Sequence, residues 1–517
     1  MKLNFNNHFE KLGEEFFKKS LPTPLKNQKI IAHDLDVCEL LDLSEKNLLS
    51  EKFLAAISGK TPDKNFCYLA QNYAGHQFGH FVNQLGDGRA ILLAQIKNQK
   101  NESLDLVLKG CGKTPFSRPY VQNADGKSVL RSAIREYLAS IALHHLGIPT
   151  SRALCLIASD DVAKREEIEP AAQIIRVAQS HIRFGTFELF FYRKENEKVK
   201  ILADYAIKNY FPDAKNYGDF LREVTRSTAT MIAKWQAFGF CHGVMNTDNM
   251  SIHGITFDFG PFGFLDEYNP NHICNHTDHS GRYSYANQPY IGLWNLNAFA
   301  ITLSSLISME EIKEILGEYE KIFLDEYHNL MAAKLGFVTC DEDVKKLIYE
   351  LLKLLEQHQI DYTNFFKNPF SKSVILDAKH RESHEFCTPN QNAQDPRIAS
   401  NSRMTNAEEI KDFPPLVTPS HDGVHLAEWH KKHDQLLKEK NIEKNAAENL
   451  IHKKNPKFIL RNHLLQNAIE KAYNGNFSEI KKLQEIITKP FDEQKENNSY
   501  ANLPPLWAKG LEISCSS

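Results

Sequence analysis

The apolar positions change their period partway along the chain. Between residues 85 and 210 they cluster in short runs around one strong helical stretch. Ala90–Ala94, Asp105–Lys109 (DLVLK), Ala153–Ser159 (ALCLIAS) and Gln173–Ser180 (QIIRVAQS) each read as a strand. Within Ser128–Leu146, Leu130, Ile134, Leu138 and Ile141 recur at helical spacing, Gly147 is placed to cap the end and Pro149 blocks extension. Beyond about residue 215 the pattern turns helical. Asp219–Phe238 carries Phe220, Val224, Met231 and Trp235 on one stripe, and Gly239 ends it. Further helices are predicted over 294–307, 310–335 and 342–358, and again from Leu426 to about Ile487. Residues 1–60 read as an extended arm with one or two short helices, and a short hairpin is expected around His253-Gly254. Gly260–Gly292 is rich in Gly, Pro and Asn, and residues 368–424 are polar and Pro/Asn/Ser-rich; both read as long loops.

Composition narrows the class. The 517 residues are 42% hydrophobic and 25% charged, with a formal net charge of -3, which gives no reason to expect nucleic acid or an anionic membrane as a partner. No apolar run approaches bilayer length, and the charged, interrupted start MKLNFNNHFEKLGEEFF lacks a signal-peptide core, so a cytoplasmic protein is expected. The nine cysteines form no CxxC pair, which suits a reducing compartment.

Several segments carry chemistry. Asp258-Phe259-Gly260 is a DFG triplet after a short predicted strand; in kinases this Asp holds Mg2+ on the ATP phosphates. Upstream, after a long helix, stands His242-Gly243-Val244-Met245-Asn246-Thr247-Asp248-Asn249. Kinase-type loops place a metal-binding Asn five residues after the catalytic Asp. Asn249 is five after Val244, so the Asn is present and the Asp is not. Valine cannot accept a proton. Asp248 either replaces the missing carboxylate or simply braces the loop. Lys109 ends a strand as the kinase phosphate-binding lysine does, and Glu136 on the next helix can pair with it. Gly86-Asp87-Gly88-Arg89 is a tight loop ahead of a strand, suited to bring backbone N–H groups and a cation to phosphate, and Asp125-Gly126 is a second flexible turn. Arg176 and Arg183 suit bidentate phosphate capture or, more plainly, ion pairing. His272, Cys274, His276 and His279 do not have the spacing of a zinc module, and Gly75-His76 and Gly79-His80 read as loop and packing residues.

The chain order of strand lysine, helix glutamate, catalytic-type loop and DFG predicts an α+β, two-lobed protein-kinase-like fold with nucleotide between the lobes. In that frame the chain divides into an N-terminal extension (1–72), a mixed N-lobe (73–212), a helical C-lobe (213–365), an insertion (366–425) and a C-terminal helical extension (426–517).

Long motifs then resemble a known family. YAGHQFG (Tyr73–Gly79), QLGDGRA (Gln84–Ala90), LKGCGKTPFSR (Leu108–Arg118), LRSAIREYLAS (Leu130–Ser140), RVAQSHIRFGTFE (Arg176–Glu188), HGVMNTDNMSI (His242–Ile252), FDFGPFGFLD (Phe257–Asp266), ICNHTDHSGRYSYANQP (Ile273–Pro289) and NPKFILRN (Asn455–Asn462) resemble selenoprotein O, called YdiU in bacteria. The resemblance implies a pseudokinase that binds ATP inverted and transfers AMP to Ser, Thr or Tyr hydroxyls of protein substrates; the alternatives are an atypical phosphotransferase with Asp248 as base and a nucleotide-binding scaffold without turnover. It implies Gly86, Gly88, Arg89, Lys109, Asp125, Gly126, Arg176, Arg183 and Asp258 as nucleotide ligands. Asn249 and Asp258 would hold Mg2+, with Mn2+ and UTP as the alternative metal and donor, and Asp248 would accept the proton. The chain departs from the family pattern between Lys109 and Asp125, where its loop is about four residues longer, and at Lys127, where the family has arginine. The resemblance also implies a redox-active Cys515 near the C-terminus, with Cys274 as its candidate disulfide partner.

Overall fold

The computed structural model describes residues 3–118, 124–369 and 426–513. The 366–425 insertion therefore lies almost wholly outside the described residues, as does Cys515. The fold is α+β, an antiparallel sheet followed by many helices.

The sheet begins in the arm that the sequence left extended. Strands β1 (Phe17–Lys19) and β2 (Lys29–His33) come first, then three short helices, α1 (Leu35–Leu40), α2 (Glu45–Leu48) and α3 (Glu51–Ile57). Asp34, Ser44 and Ser50 cap these three helices through their side chains, which satisfies the free N–H groups at each start. Next come β3 (Leu69–Gln71), the hairpin β4 (Gly75–Gln77) and β5 (His80–Val82), β6 (Ala90–Lys97), β7 (Ser103–Lys109) and β8 (Ser128–Val129). Helix α4 (Leu130–His145) separates β8 from the long hairpin β9 (Arg152–Lys164) and β10 (Ile168–Ala178). The eight-stranded sheet runs β1-β3-β6-β7-β10-β9-β2, with β8 also on β10. Both edges are thus supplied by the arm. Its strands are too short, and β1 too rich in lysine, to announce themselves by alternation.

Strand parity distributes the side chains. Along β7, Leu104, Leu106 and Leu108 enter an apolar cluster with Val37, Leu41, Phe53 and Ile57 of α1–α3. Val107 faces the other way, into the larger core with Ile134 and Leu138 of α4. Lys109 shares the parity of Val107 and turns toward α4. In β10, Ile174 joins that same core while Ile175 and Val177 join the opposite one, so Arg176 also turns toward α4. Antiparallel pairing sets Ile174 against Lys109 and Arg176 against Val107, making the two cations diagonal neighbours on one face.

Helices α5 (Phe184–Tyr192) and α6 (Asn196–Tyr210) follow. The apolar run FGTFELFFY has no clear stripe, which is why periodicity missed α5; it is buried nearly all round. Helix α7 (Tyr217–Phe238) matches its predicted stripe and ends on Gly239 at φ 70°. The predicted hairpin at His253-Gly254 is instead a turn whose flanks bridge to separate partners, Ser251 to Arg183 and Thr256 to Thr150. A small ladder, β11 (Phe240–Cys241) with β12 (Gly263–Phe264), brackets this region. The predicted helices appear as α8 (Gln288–Thr302), α9 (Met309–Lys334) and α10 (Glu342–Gln357), followed by α11 (Tyr362–Lys367). The last described stretch holds α12 (Leu426–Glu439), α13 (Lys444–Lys454), α14 (Asn462–Tyr473) and α15 (Ser478–Ile487). Helices α14 and α15 return to pack on α4, and Tyr137 of α4 donates to Gln484 at 2.9 Å. Among the described residues no helix is long and apolar enough to cross a membrane.

Lys334 ends α9 in the interior. Its ammonium lies 4.6 Å from the ring centre of Phe366 and 5.1 Å from that of Phe238, and among the described residues no carboxylate pairs with it. Burial pushes its pKa down to about 7. The unfolded chain therefore binds more protons than the folded one between pH 7 and the ordinary lysine pKa, so stability rises with pH across that window. Lys334→Met is expected to raise the thermal midpoint at pH 7 by roughly 2–5 °C, with the gain shrinking as pH approaches 10. Thermal scans at a series of pH values check this, and a gain independent of pH would refute it.

Candidate functional site

A cleft of about 720 Å³ opens between the sheet and the loops that follow α7. The residues expected at the nucleotide, the metal and the proton line it: Gly86, Gly88, Arg89, Lys109, Asp125, Gly126, Arg176, Arg183, Asp248, Asn249 and Asp258; Glu136 and Cys274 do not.

The glycines are where they are for steric reasons. Gly86 sits at φ 77°, and a Cβ there would meet the Phe116 ring at 2.5 Å. Ser117 and Thr114 donate their hydroxyls to the carbonyls of Gly88 and Asp87, tying this loop to the segment after β7. Gly126, at φ 73°, lies so close to Gly112 that a Cβ would fall 2.0 Å from its carbonyl carbon. Asp125 accepts from Arg165 at 3.1 Å and from the Lys127 N–H at 3.0 Å. The aspartate of this longer loop is therefore held by the tip of the β9–β10 hairpin.

Behind the loops lies a buried charge cluster. Lys109 Nζ donates to Glu136 Oε2 at 2.7 Å, the strand–helix pair expected from the sequence. Arg176 donates Nε to Glu136 Oε1 and Nη2 to Asp258 Oδ1 at 2.6 Å. Arg183 donates Nη1 to Asp258 Oδ2 and to the Asp248 carbonyl, the latter at 2.6 Å. Its guanidinium is sandwiched between the rings of Tyr73 and Phe257, at 4.5 and 4.7 Å. Burial alone would raise Asp258, but Arg176, Arg183 and Lys109 hold it well below the usual carboxylate range. Burial, with Arg176 adding to it, pushes Lys109 down to about 8 despite Glu136. Arg89 is different: among the described residues nothing pairs with its guanidinium, and burial lowers its pKa.

The 247–249 turn supplies the other wall. Asn249 donates its amide to the Val244 carbonyl at 3.0 Å, which fixes the amide's orientation. Val244 stands at the position where kinase-type loops carry an acid. Asp248 is buried, accepts from Gln77 Nε2 at 3.1 Å, and has no partner for Oδ1. Burial pushes its carboxyl up to about 7, with Arg183 pulling the other way.

Among the described residues, no three His, Cys, Asp or Glu side chains converge as a metal site. Asp258 and Asn249 still offer hard oxygen donors, and Mg2+ commonly takes only one or two protein ligands together with substrate phosphates. The residues fit such an ion on the condition that it shares Asp258 with two arginines.

Cys274 is buried, and its thiol donates to the Cys241 carbonyl at 3.4 Å. Its proposed partner Cys515 is outside the described residues, but the chain is near: His276 N–H donates to the Ile513 carbonyl at 3.1 Å. Sequence reasoning missed Gln77, Thr247 and Glu188 as site residues. They sit inside the matched motifs, yet only tertiary contact reveals what each touches.

A deep cleft rich in guanidinium groups, with hard oxygen donors on the opposite wall, suits a polyphosphate ligand. The family model described as "Protein adenylyltransferase SelO" matches residues 1–488. A protein nucleotidyltransferase YdiU from Pseudomonas fluorescens (strain SBW25) is 42% identical over all of this chain and 99% of its own length. The proteins of that name from Pectobacterium carotovorum and Photobacterium profundum are 41% and 40% identical over 99% and 100% of the chain. The chain belongs to the SelO/YdiU family of protein nucleotidyltransferases.

Glu136 is the common acceptor of two buried cations. Glu136→Gln is expected to cost about 3–5 kcal/mol in denaturant unfolding, because Lys109 and Arg176 would then be buried short of a counter-charge. An unfolding midpoint equal to that of the unaltered protein would show that the cluster is not structurally needed.

Proposed function

We propose that this protein transfers AMP from ATP to Ser, Thr or Tyr hydroxyls of proteins and releases pyrophosphate. The observation that carries this reading is the pairing of Val244, where kinases have an acid, with a buried Asp248 facing the same cleft as Lys109, Arg176 and Arg183. In this reading the fold is kinase-like and two-lobed, and the nucleotide lies inverted. The guanidiniums of Arg89, Arg176 and Arg183 then bind the terminal phosphates, which leave as pyrophosphate, and the α-phosphate faces the incoming hydroxyl. Gly86, Gly88, Asp125 and Gly126 shape the loops against the nucleotide.

Asp248 takes the proton of the substrate hydroxyl as its oxygen bonds to the α-phosphorus and the bond to pyrophosphate breaks. Asn249 and Asp258 would hold Mg2+ or Mn2+, which neutralises phosphate charge when bound. Lys109, kept in place by Glu136, adds positive charge beside the transferring group.

Label transfer tests the proposal. Protein labelled from α-phosphate-labelled ATP but not from γ-labelled ATP, and lost in Asp258→Ala and Asp248→Asn, is the expected result. Labelling only from the γ-phosphate would instead make the protein a phosphotransferase. UTP with Mn2+, run in parallel, decides which nucleotide is the donor.

A further inference from the structure

The β4–β5 hairpin reaches across the cleft and grips the 247–249 turn. His76 N–H donates to Thr247 Oγ1 at 2.6 Å, Gln77 Nε2 to Asp248 Oδ2 at 3.1 Å, and Phe78 N–H to Asn246 Oδ1 at 3.3 Å. Residues 76–78 thus bond to residues 246–248. Behind them Glu188 of α5, fully buried, accepts from the Thr247 hydroxyl and pairs with His76 Nδ1 at 2.5 Å. The contact is close enough to demand glycine twice. A Cβ on Gly75 would lie 3.0 Å from both Cβ and Oδ1 of Asp248, and one on Gly185 would lie 2.1 Å from the Ala74 carbonyl.

An ionised carboxylate can accept about four hydrogen bonds. The side chain of Asp248 receives one, from Gln77, while its Oδ1 is buried against Gly75 without a partner. Arg183 spends its bond on the Asp248 backbone carbonyl rather than the carboxylate. The orientation of the carboxylate plane therefore rests on the Gln77 amide. Gln77 also lines the same cleft as Asp248.

We infer that Gln77 is a positioning residue for nucleotidyl transfer: its amide, delivered by the β4–β5 hairpin and braced through His76, Thr247 and Glu188, holds the Asp248 carboxylate in the orientation that meets the incoming hydroxyl. This rests on the reading of Asp248 as proton acceptor given above. The Gln77 side chain bonds Asp248 and none of the cleft's cations, so its role lies with the proton acceptor and not with nucleotide capture.

The test uses the full chain carrying Gln77→Met, which keeps length and loses the donor, and Gln77→Glu, which keeps shape and sets a like charge against Asp248. Each is made alone and on Asp248→Asn. Transfer rates, KM for the nucleotide and nucleotide affinity by calorimetry are measured, with label accumulated over long incubations for the slow variants. The expected result is a fall in kcat of about tenfold or more for Gln77→Met, a larger fall for Gln77→Glu, and nucleotide KM and Kd within about twofold of the unaltered protein. On Asp248→Asn, Gln77→Met should cost nothing further, because a positioning residue has no effect once its target is gone. Unchanged kcat in Gln77→Met, a parallel loss of nucleotide affinity, or an equal cost with and without Asp248 would overturn the inference while leaving Asp248 as acceptor. Full transfer by Asp248→Asn itself would instead remove the acceptor reading, and the role of Gln77 with it.

Discussion

The carboxylate of Asp258 lies half-buried where β10, the N-terminus of α5 and the DFG turn converge, and the guanidiniums of Arg176 and Arg183 close on both of its oxygens, which offsets the cost of taking its charge out of water. Arg176 is in turn shared with Glu136, and Glu136 with Lys109. One chain of charge-assisted bonds thus joins the sheet, α4 and the loops after α7. Arg183 also reaches the buried Asp87 at 3.8 Å, so three cations face three carboxylates in it, and Arg89 adds a fourth cation beside them with no partner among the described residues. The surplus is positive and lies at the cleft wall. A polyphosphate offers the same guanidiniums new acceptors, so under the proposed function ligand binding and the hold on Asp258 draw on the same groups.

Asp258 itself is set at φ 59°, a left-handed backbone that a non-glycine residue adopts only when its surroundings enforce it. The ion pairs with two arginines from different elements provide that enforcement. Asp248 receives the opposite treatment. It is buried beside one neutral donor, and its carboxyl is pushed up, while Asp258 is held down. Two aspartates ten residues apart therefore differ in character through what reaches them: guanidiniums for one, a carboxamide and a glycine α-carbon for the other.

Much of this was legible in the sequence, for identifiable reasons. Strand alternation and helix periodicity located β7, β10, α4 and α7, and from these the meeting of Lys109 with Glu136 follows. The triplet at Asp258 and the spacing from Val244 to Asn249 marked the opposite wall. What the sequence hid depends on long-range contact. Tyr73–Gly79 looked like a loop because three-residue strands leave no periodic trace, and its partner lies far along the chain at Thr247. Helix α5 was hidden by an apolar run too uniform to show a face. The arginines read equally as phosphate ligands or as ion pairs, and the structure has them paired with Asp258 and Glu136.

The arm that closes the sheet also bears on how the molecule is made. Strand β2 pairs with β9 through Lys29↔Ala158 to His33↔Cys155, and β1 pairs with β3. During synthesis β1 can pair once β3 has emerged, whereas β2 has no strand partner until β9 has followed it out. Their early exposure is short-lived only if they are poor templates for other chains, and the lysines at 18, 19 and 29 give both strands that character. The two edges of the sheet therefore close at different times, β1 on β3 first and β2 only once β9 is made.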